Sequence, residues 1–258
     1  MSTYRILFLG DIVGEPGRAH VQRSLPSLRD MVEPTFVIVN GENAAAGSGI
    51  TPKIADAIFS WGVDAITLGN HAFHKREIAP YLDSPRPIVR PGNMTRRFTG
   101  RGHTDITRDG ITLRVANLCG RVHMEPAYDD PFGMAEDLWA GEHHLFLDFH
   151  AEATSEKVAM GWHCDGHATA VVGTHTHIQT ADERILPGGT AYITDVGMCG
   201  PSEGVLGVDR DVIVRRFRGD LHERFEVAPG PSVICGVVID VKTSTGHAVG
   251  IERIRFGD

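Results

Sequence analysis

Short apolar runs, each ending in a polar or glycine-rich loop, recur along this chain and constrain its fold more than any other feature. Ile6 to Leu9, Phe36 to Val39, Ala65 to Leu68, Ile88 to Val89, Leu113 to Leu118, Leu145 to Phe149, Ala170 to Val172, Ala191 to Ile193 and Val233 to Ile239 read as core strands. Helical stretches lie between several of them: Ala19 to Met31, Pro52 to Trp61 with Thr51 as N-cap and Pro52 at the first position, Thr154 to His163, and Asp209 to Phe217. Strand, loop, helix, strand is the order of a layered α/β protein, and 258 residues suit a single domain spanning 1–258. The segments from Thr95 to Gly110 and from Arg121 to Leu138 read as long loops or a small insertion of the kind that covers an active site.

Composition excludes several classes. Hydrophobic residues at 41% and charged residues at 22% are ordinary globular usage, so disorder and fibrous repeats drop out. A net charge of -8 opposes tight, non-specific nucleic-acid binding, which needs a concentrated basic surface; a small anion remains accessible if a metal supplies positive charge. The apolar runs are far too short to span a bilayer, and the N-terminus leads directly into a strand, so neither a membrane span nor a signal peptide is expected. Cys119, Cys164, Cys199 and Cys235 are widely spaced, which predicts four reduced thiols and a cytoplasmic protein.

In sheets of this kind functional groups collect where strands end, and the fourteen histidines make those ends worth inspecting. The first strand ends in Gly10-Asp11-Ile12-Val13-Gly14, a carboxylate in a tight turn that could equally be an Asx-turn former. The second ends in Asn40-Gly41-Glu42-Asn43 followed by small residues, where Glu42 has two oxygens with which to bridge cations. The third ends in Gly69-Asn70-His71. On an extended backbone neighbours point to opposite sides, so one of Asn70 and His71 would hold metal while the other faces substrate. His150 closes a strand whose alternation puts Asp148 on its own side, as a candidate hydrogen-bonding partner of a metal ligand. Val171-Val172-Gly173-Thr174-His175-Thr176-His177 ends in His-x-His, and period-two geometry would set the two imidazoles on one face, about 7 Å apart. Five strand ends delivering Asp, Glu, Asn or His to one sheet edge point together to a metal cage; His20, His103, His123, His143, His144, His163, His167, His222 and His247 lack such placement.

Oxygen and nitrogen donors without thiolate suit Fe, Mn, Zn or Co. Two divalent cations carry +4 and Asp11 with Glu42 return -2, leaving positive charge to hold a hydroxide and a phosphodiester anion. Two metals roughly 3.5 to 4 Å apart lower the pKa of a bridging water, align it with phosphorus and neutralise the equatorial oxygens. The leaving alkoxide then needs a proton, and His71 is the best-placed general acid.

The blocks Gly10-Asp11-Ile12-Val13-Gly14, Asn40-Gly41-Glu42-Asn43, Gly69-Asn70-His71, His150 and Gly173-Thr174-His175-Thr176-His177-Ile178-Gln179-Thr180-Ala181-Asp182 resemble the calcineurin-like metallophosphoesterase superfamily and, more narrowly, its bacterial YmdB family. The resemblance runs through Tyr192 to Pro201 and covers the whole chain. Val13 stands where the wider superfamily has His and Ala72 where it has Glu, as in the YmdB-like branch. The resemblance implies a four-layer α/β/β/α sandwich with two iron ions. It implies Asp11, Glu42, Asn43 and His177 around one metal and Glu42, Asn70, His150 and His175 around the other, with Glu42 bridging. It further implies a phosphodiesterase acting on cyclic nucleotides, notably 2′,3′-cyclic AMP, with His71 as proton donor. Asn43 and Asn70 rest mainly on it.

Three other readings remain open from the sequence: a phosphomonoesterase with the same cage, a nucleotide- or RNA-binding regulatory protein with vestigial hydrolysis, and a purely structural metal site. Fe and Mn accept the same ligands, and the sequence leaves open whether subunits associate as a homo-oligomer.

Overall fold

The computed structural model describes residues 2–95, 98–140, 144–220 and 224–257. In chain order their elements are β1 (Thr3–Leu9), β2 (Asp11–Ile12), α1 (Gly14–Val32), β3 (Phe36–Asn40), α2 (Pro52–Ser60), β4 (Ala65–Thr67), α3 (Ala79–Leu82), β5 (Ile88–Val89), β6 (His103–Arg108), β7 (Ile111–Cys119), α4 (Pro131–Trp139), β8 (Leu145–His150), α5 (Thr154–His163), β9 (Ala170–Thr174), β10 (Arg184–Ile185), β11 (Ala191–Ile193), β12 (Met198–Pro201), α6 (Arg210–Phe217), β13 (Ser232–Lys242) and β14 (Ala248–Gly257). They form two sheets. The eight-stranded sheet runs β2-β12-β13-β1-β3-β4-β5 with β14 also on β13, and the six-stranded sheet runs β10-β11-β9-β8-β7-β6.

Alternation within the strands dictates the layers. Ile6 and Phe8 of β1, with Phe36 and Ile38 of β3, face Phe146 and Val172 of the other sheet, and the rings of Phe8 and Phe146 meet at 5.0 Å across the gap. Their neighbours Leu7, Leu9, Val37 and Val39 face outward onto α1 and α2. On the far side Leu145, Leu147 and Phe149 of β8 pack on α4 and α5. The order is α/β/β/α, as expected. Thr51 caps α2 by accepting from the Ile54 amide, Pro52 stands in its first turn, and Asp209 caps α6 in the same way.

The central parallel strands β1, β3, β4 and β5 in one sheet and β7, β8, β9 and β11 in the other carry the functional loops at their carboxyl ends. The two sets are tied together there. Buried Asp148 of β8 accepts from Asn40 Nδ2 at 3.0 Å and Thr67 Oγ1 at 2.5 Å, both from the opposite sheet, and from Thr174 Oγ1 of β9 at 2.6 Å.

Several expectations change. The stretch from Thr95 to Gly110 is no loop throughout: His103–Arg108 is an edge strand paired antiparallel with β7 across an Asp109-Gly110 turn, both residues at positive φ. Its exposed, polar side chains hid the strand. Within Arg121 to Leu138, Pro131–Trp139 is a helix capped by Asp130. Helix α1 begins at Gly14, five residues before its expected start, with Pro16 accommodated in the first turn. Asp11 lies not in a tight turn but on β2, paired parallel with Met198 of β12.

Candidate metal centre

Each functional side chain is fixed by the loop that carries it. Asp11, fully buried, follows Gly10, where a Cβ would fall 1.9 Å from the Gly197 carbonyl oxygen, so only glycine lets β2 approach this closely. Glu42 follows Gly41 in the loop after β3, and its amide donates to Asn40 Oδ1 at 3.0 Å. Residues 69–74 form successive turns, with the Ala72 amide donating to the Gly69 carbonyl and His74 to the His71 carbonyl. His150 ends β8. His175 and His177 follow β9 with φ of 98° and 65°, a left-handed backbone unusual for non-glycine residues. Buried Asp195 holds that loop: it accepts from the Thr176 amide at 3.1 Å, from Thr176 Oγ1 at 2.8 Å, from the Gly197 amide at 2.8 Å and from Lys157 Nζ at 2.7 Å.

One group of donor atoms converges on His150 Nε2. Asn70 Oδ1 lies 3.0 Å from it, His175 Nδ1 3.1 Å and Glu42 Oε1 3.2 Å. Atoms bound to one ion at about 2.1 Å stand about 3 Å apart at right angles, so this spacing fits a shared cation. Beside them Asp11 Oδ1 lies 3.9 Å from His177 Nε2, which is 3.2 Å from the Asn43 amide. His71 joins from the pocket side, with Nδ1 3.3 Å from Glu42 Oε1 and 3.4 Å from Asn43 Oδ1 and its amide donating to Glu42 Oε2 at 3.1 Å.

Hydrogen bonds on the far side of the rings select the tautomers. His177 Nδ1 donates to the Leu206 carbonyl at 3.0 Å, so Nε2 keeps its lone pair. Thr174 Oγ1 gives its proton to Asp148 and accepts from His150 Nδ1 at 2.8 Å, which frees His150 Nε2 in the same way. Glu152 Oε2, 3.1 Å from His175 Nε2, leaves Nδ1 of that ring facing the cluster.

The electrostatics of the cluster call for a cation. Burial raises Asp11, and its Oδ1 is enclosed with no hydrogen-bond donor. Such an orphan acceptor is costly unless a positive charge takes its lone pairs. Burial also works against Glu42, but His150 and His71 outweigh it and hold this carboxyl well below its usual range. Burial would lower His150, yet Glu42 and Asp11 raise it to about 9, a positive charge that a metal ion at Nε2 would replace, while burial and His150 drive His175 down to about 3. Burial lifts Asp148 to about 6 despite its two threonine donors. Gly69 completes the fit. A Cβ there would fall 2.3 Å from Glu42 Oε2 and 2.4 Å from His150 Nε2, so glycine alone leaves room for these atoms to converge. The donor set and its geometry therefore suit bound metal.

All eight residues singled out in the sequence thus come together, though two of the arguments for them were faulty. His175 and His177 do not continue an extended strand; left-handed turns bring them to the cluster. Asn70 and His71 do not diverge, because they lie in a turn, and both approach the Glu42 and His150 pair. Sequence reasoning missed His74, whose ring lies 4.4 Å from that of His71 and whose Nδ1 is 2.5 Å from Ser48 Oγ. Its position three residues after His71 in a glycine-led turn was the available signal. The partners Asn40, Thr67, Thr174 and Asp195 were missed too, and only the fold joins them.

A family model described as YmdB-like protein matches residues 7–254. The chain is 52% identical over 258 residues to a 2′,3′-cyclic-nucleotide 2′-phosphodiesterase of Bacillus subtilis (strain 168), covering 98% of this chain and 97% of that one. Among solved structures, a phosphatase from Mycoplasma pneumoniae superposes with a TM-score of 0.94 at 35% identity, covering 100% of this chain and 94% of that chain. A hypothetical protein from Thermus thermophilus superposes with a TM-score of 0.92 at 37% identity, covering 98% of this chain and 99% of that chain. No helix among the described residues is long and apolar enough to cross a membrane. On its matched length, its fold and its shared residues, the chain belongs to the YmdB-like protein family.

Proposed function

We propose that the chain is a two-metal phosphodiesterase that hydrolyses 2′,3′-cyclic nucleotides, with His71 as general acid. The observation that carries the reading is the convergence of Glu42, Asn70 and His175 on His150 Nε2, with His71 held on the same Glu42 oxygen. The activity printed for the Bacillus subtilis relative supplies the substrate class. Glu42, Asn70, His150 and His175 would hold one metal, and Asp11, Asn43, His177 and Glu42 the other. Iron is the metal we propose, since oxygen and imidazole donors without thiolate suit it, with Mn and Zn as alternatives.

When bound, the two cations supply a water of lowered pKa and neutralise the phosphoryl oxygens. The chain's own residues do the rest. Glu42 and Asn43 hold His71 through Nδ1, leaving Nε2 to hand a proton to the departing ribose oxygen. Asp148, through Thr174, fixes the His150 ring, and Leu206 fixes the His177 ring. Four buried free cysteines agree with a cytoplasmic protein.

The Mycoplasma structure's description as a phosphatase favours a second reading, monoester hydrolysis at the same cage. Turnover of 2′,3′-cyclic AMP and of bis(p-nitrophenyl) phosphate against p-nitrophenyl phosphate, by metal-loaded protein and by His71→Ala, separates the two. Diester turnover lost with His71 supports the proposal; monoester turnover alone overturns it.

A further inference from the structure

The metal cluster forms only part of its pocket. Glu42, Asn43, His71, His175 and His177 line a cavity of about 470 Å³, a size that suits a small organic ligand. Ser48 and His74 border the cluster, and another part of the wall is of different chemistry: Val13, Leu206, Val208, Phe225 and Val227, with Glu226 among them. This wall is a built structure. Val208 bridges to both Val205 and Val227, and the Leu206 carbonyl accepts from His177 Nδ1. Gly207 and Gly14, both at positive φ, let the wall close on Val13 and Val227, which a Cβ at either position would strike.

Phe225 stands apart from the other wall residues. It is 56% exposed although it lines the pocket, so its ring adds little to the core. The Arg216 guanidinium sits 4.3 Å from its centroid, over one face. An aromatic ring held on one side by a cation, in the same cavity as a phosphate-directed cluster, is suited to stacking a flat heterocycle. The donor cluster, of opposite chemistry in the same cavity, is the part suited to phosphate, which leaves the base to the wall that carries Phe225.

We propose that Phe225 is a specificity-determining residue whose ring stacks the nucleobase of the substrate, with Val208 and Val227 as the apolar support around it. The inference rests on the nucleotide reading above and extends it. Bare phosphodiesters would lack this contact, and a purine would gain more from it than a smaller pyrimidine.

Calorimetric titration of the metal-loaded full chain with adenosine 3′-phosphate and with inorganic phosphate tests it. Phe225→Ala should weaken adenosine 3′-phosphate about tenfold while phosphate affinity stays within twofold, and Phe225→Tyr should restore the nucleotide. Equal weakening of both ligands, no change in either, failure of tyrosine to rescue, or a wild-type chain that binds the nucleotide no more tightly than phosphate would overturn the inference. Base-dependent binding without turnover of 2′,3′-cyclic AMP would instead sink the proposed activity and leave the stacking role standing.

Discussion

His71 and His150 approach the same oxygen, Oε1 of Glu42, at 3.3 and 3.2 Å from opposite parts of the chain. One imidazole belongs to the cluster of donor atoms and the other lines the pocket, so a single buried carboxylate sets the distance between candidate metal site and candidate acid. This relationship makes the roles of the two histidines separable by substitution.

Gly69 is the position where the cluster tolerates no side chain. The Cβ of Gly69→Ala would meet Glu42 and His150 well inside contact distance, so the variant should lose most of its metal while keeping a native far-UV spectrum. Metal content by mass spectrometry checks this; full occupancy would mean that the donor atoms do not converge here.

Thr174 links Asp148 to His150 by its hydroxyl. Thr174→Val keeps the shape of the side chain and removes the link. Metal affinity, measured by competition with a chelator, should fall about 10- to 100-fold, with kcat recovering at saturating metal. An unchanged affinity would show that the ring needs no such support.

How much of this was legible before the fold was known differs by type of feature. Long apolar strands such as Phe36–Asn40 and Leu145–His150 announce themselves, and so do the donors at their ends. The edge strand His103–Arg108 and the last strand, Ala248–Gly257, were not read because their charged residues face water, although Asp109-Gly110 is a recognisable hairpin turn. The His175 and His177 loop illustrates a different limit. Period-two reasoning placed both rings at the site, yet the backbone gets there through left-handed turns held by Asp195. A carboxylate nearly twenty residues downstream cannot be matched to that loop by spacing alone.

Lys157 and Asp195 form an enclosed pair at 2.7 Å, and Asp195 braces the histidine loop. Lys157→Met strands the carboxylate in the interior. It should cost about 3–5 kcal/mol in urea denaturation, and the remaining folded fraction should bind metal less tightly. A loss below about 1 kcal/mol would mean that the other donors to Asp195 suffice.

Asp182 lies outside the donor cluster and offers a pH signature of its own. Burial pushes its carboxyl up, but donation from Thr180, the Thr194 hydroxyl and the Thr194 amide outweighs this and leaves it below its ordinary 3.8. Because the folded value is the lower one, the stabilisation is complete above the unfolded value and fades as pH falls through the folded one. Asp182→Asn should therefore lower Tm at pH 7, and the gap from wild type should close in acid below about pH 4. A gap that is constant with pH would assign the effect to shape alone.

The account stands most directly on metal content and turnover measured together, on anaerobically purified wild type and His71→Ala. It predicts two metal ions per chain in both proteins, turnover of 2′,3′-cyclic AMP by the wild type, and a kcat about 10²- to 10⁴-fold lower in the variant. A variant as fast as wild type, or a wild type that binds no metal and leaves 2′,3′-cyclic AMP intact, would contradict it.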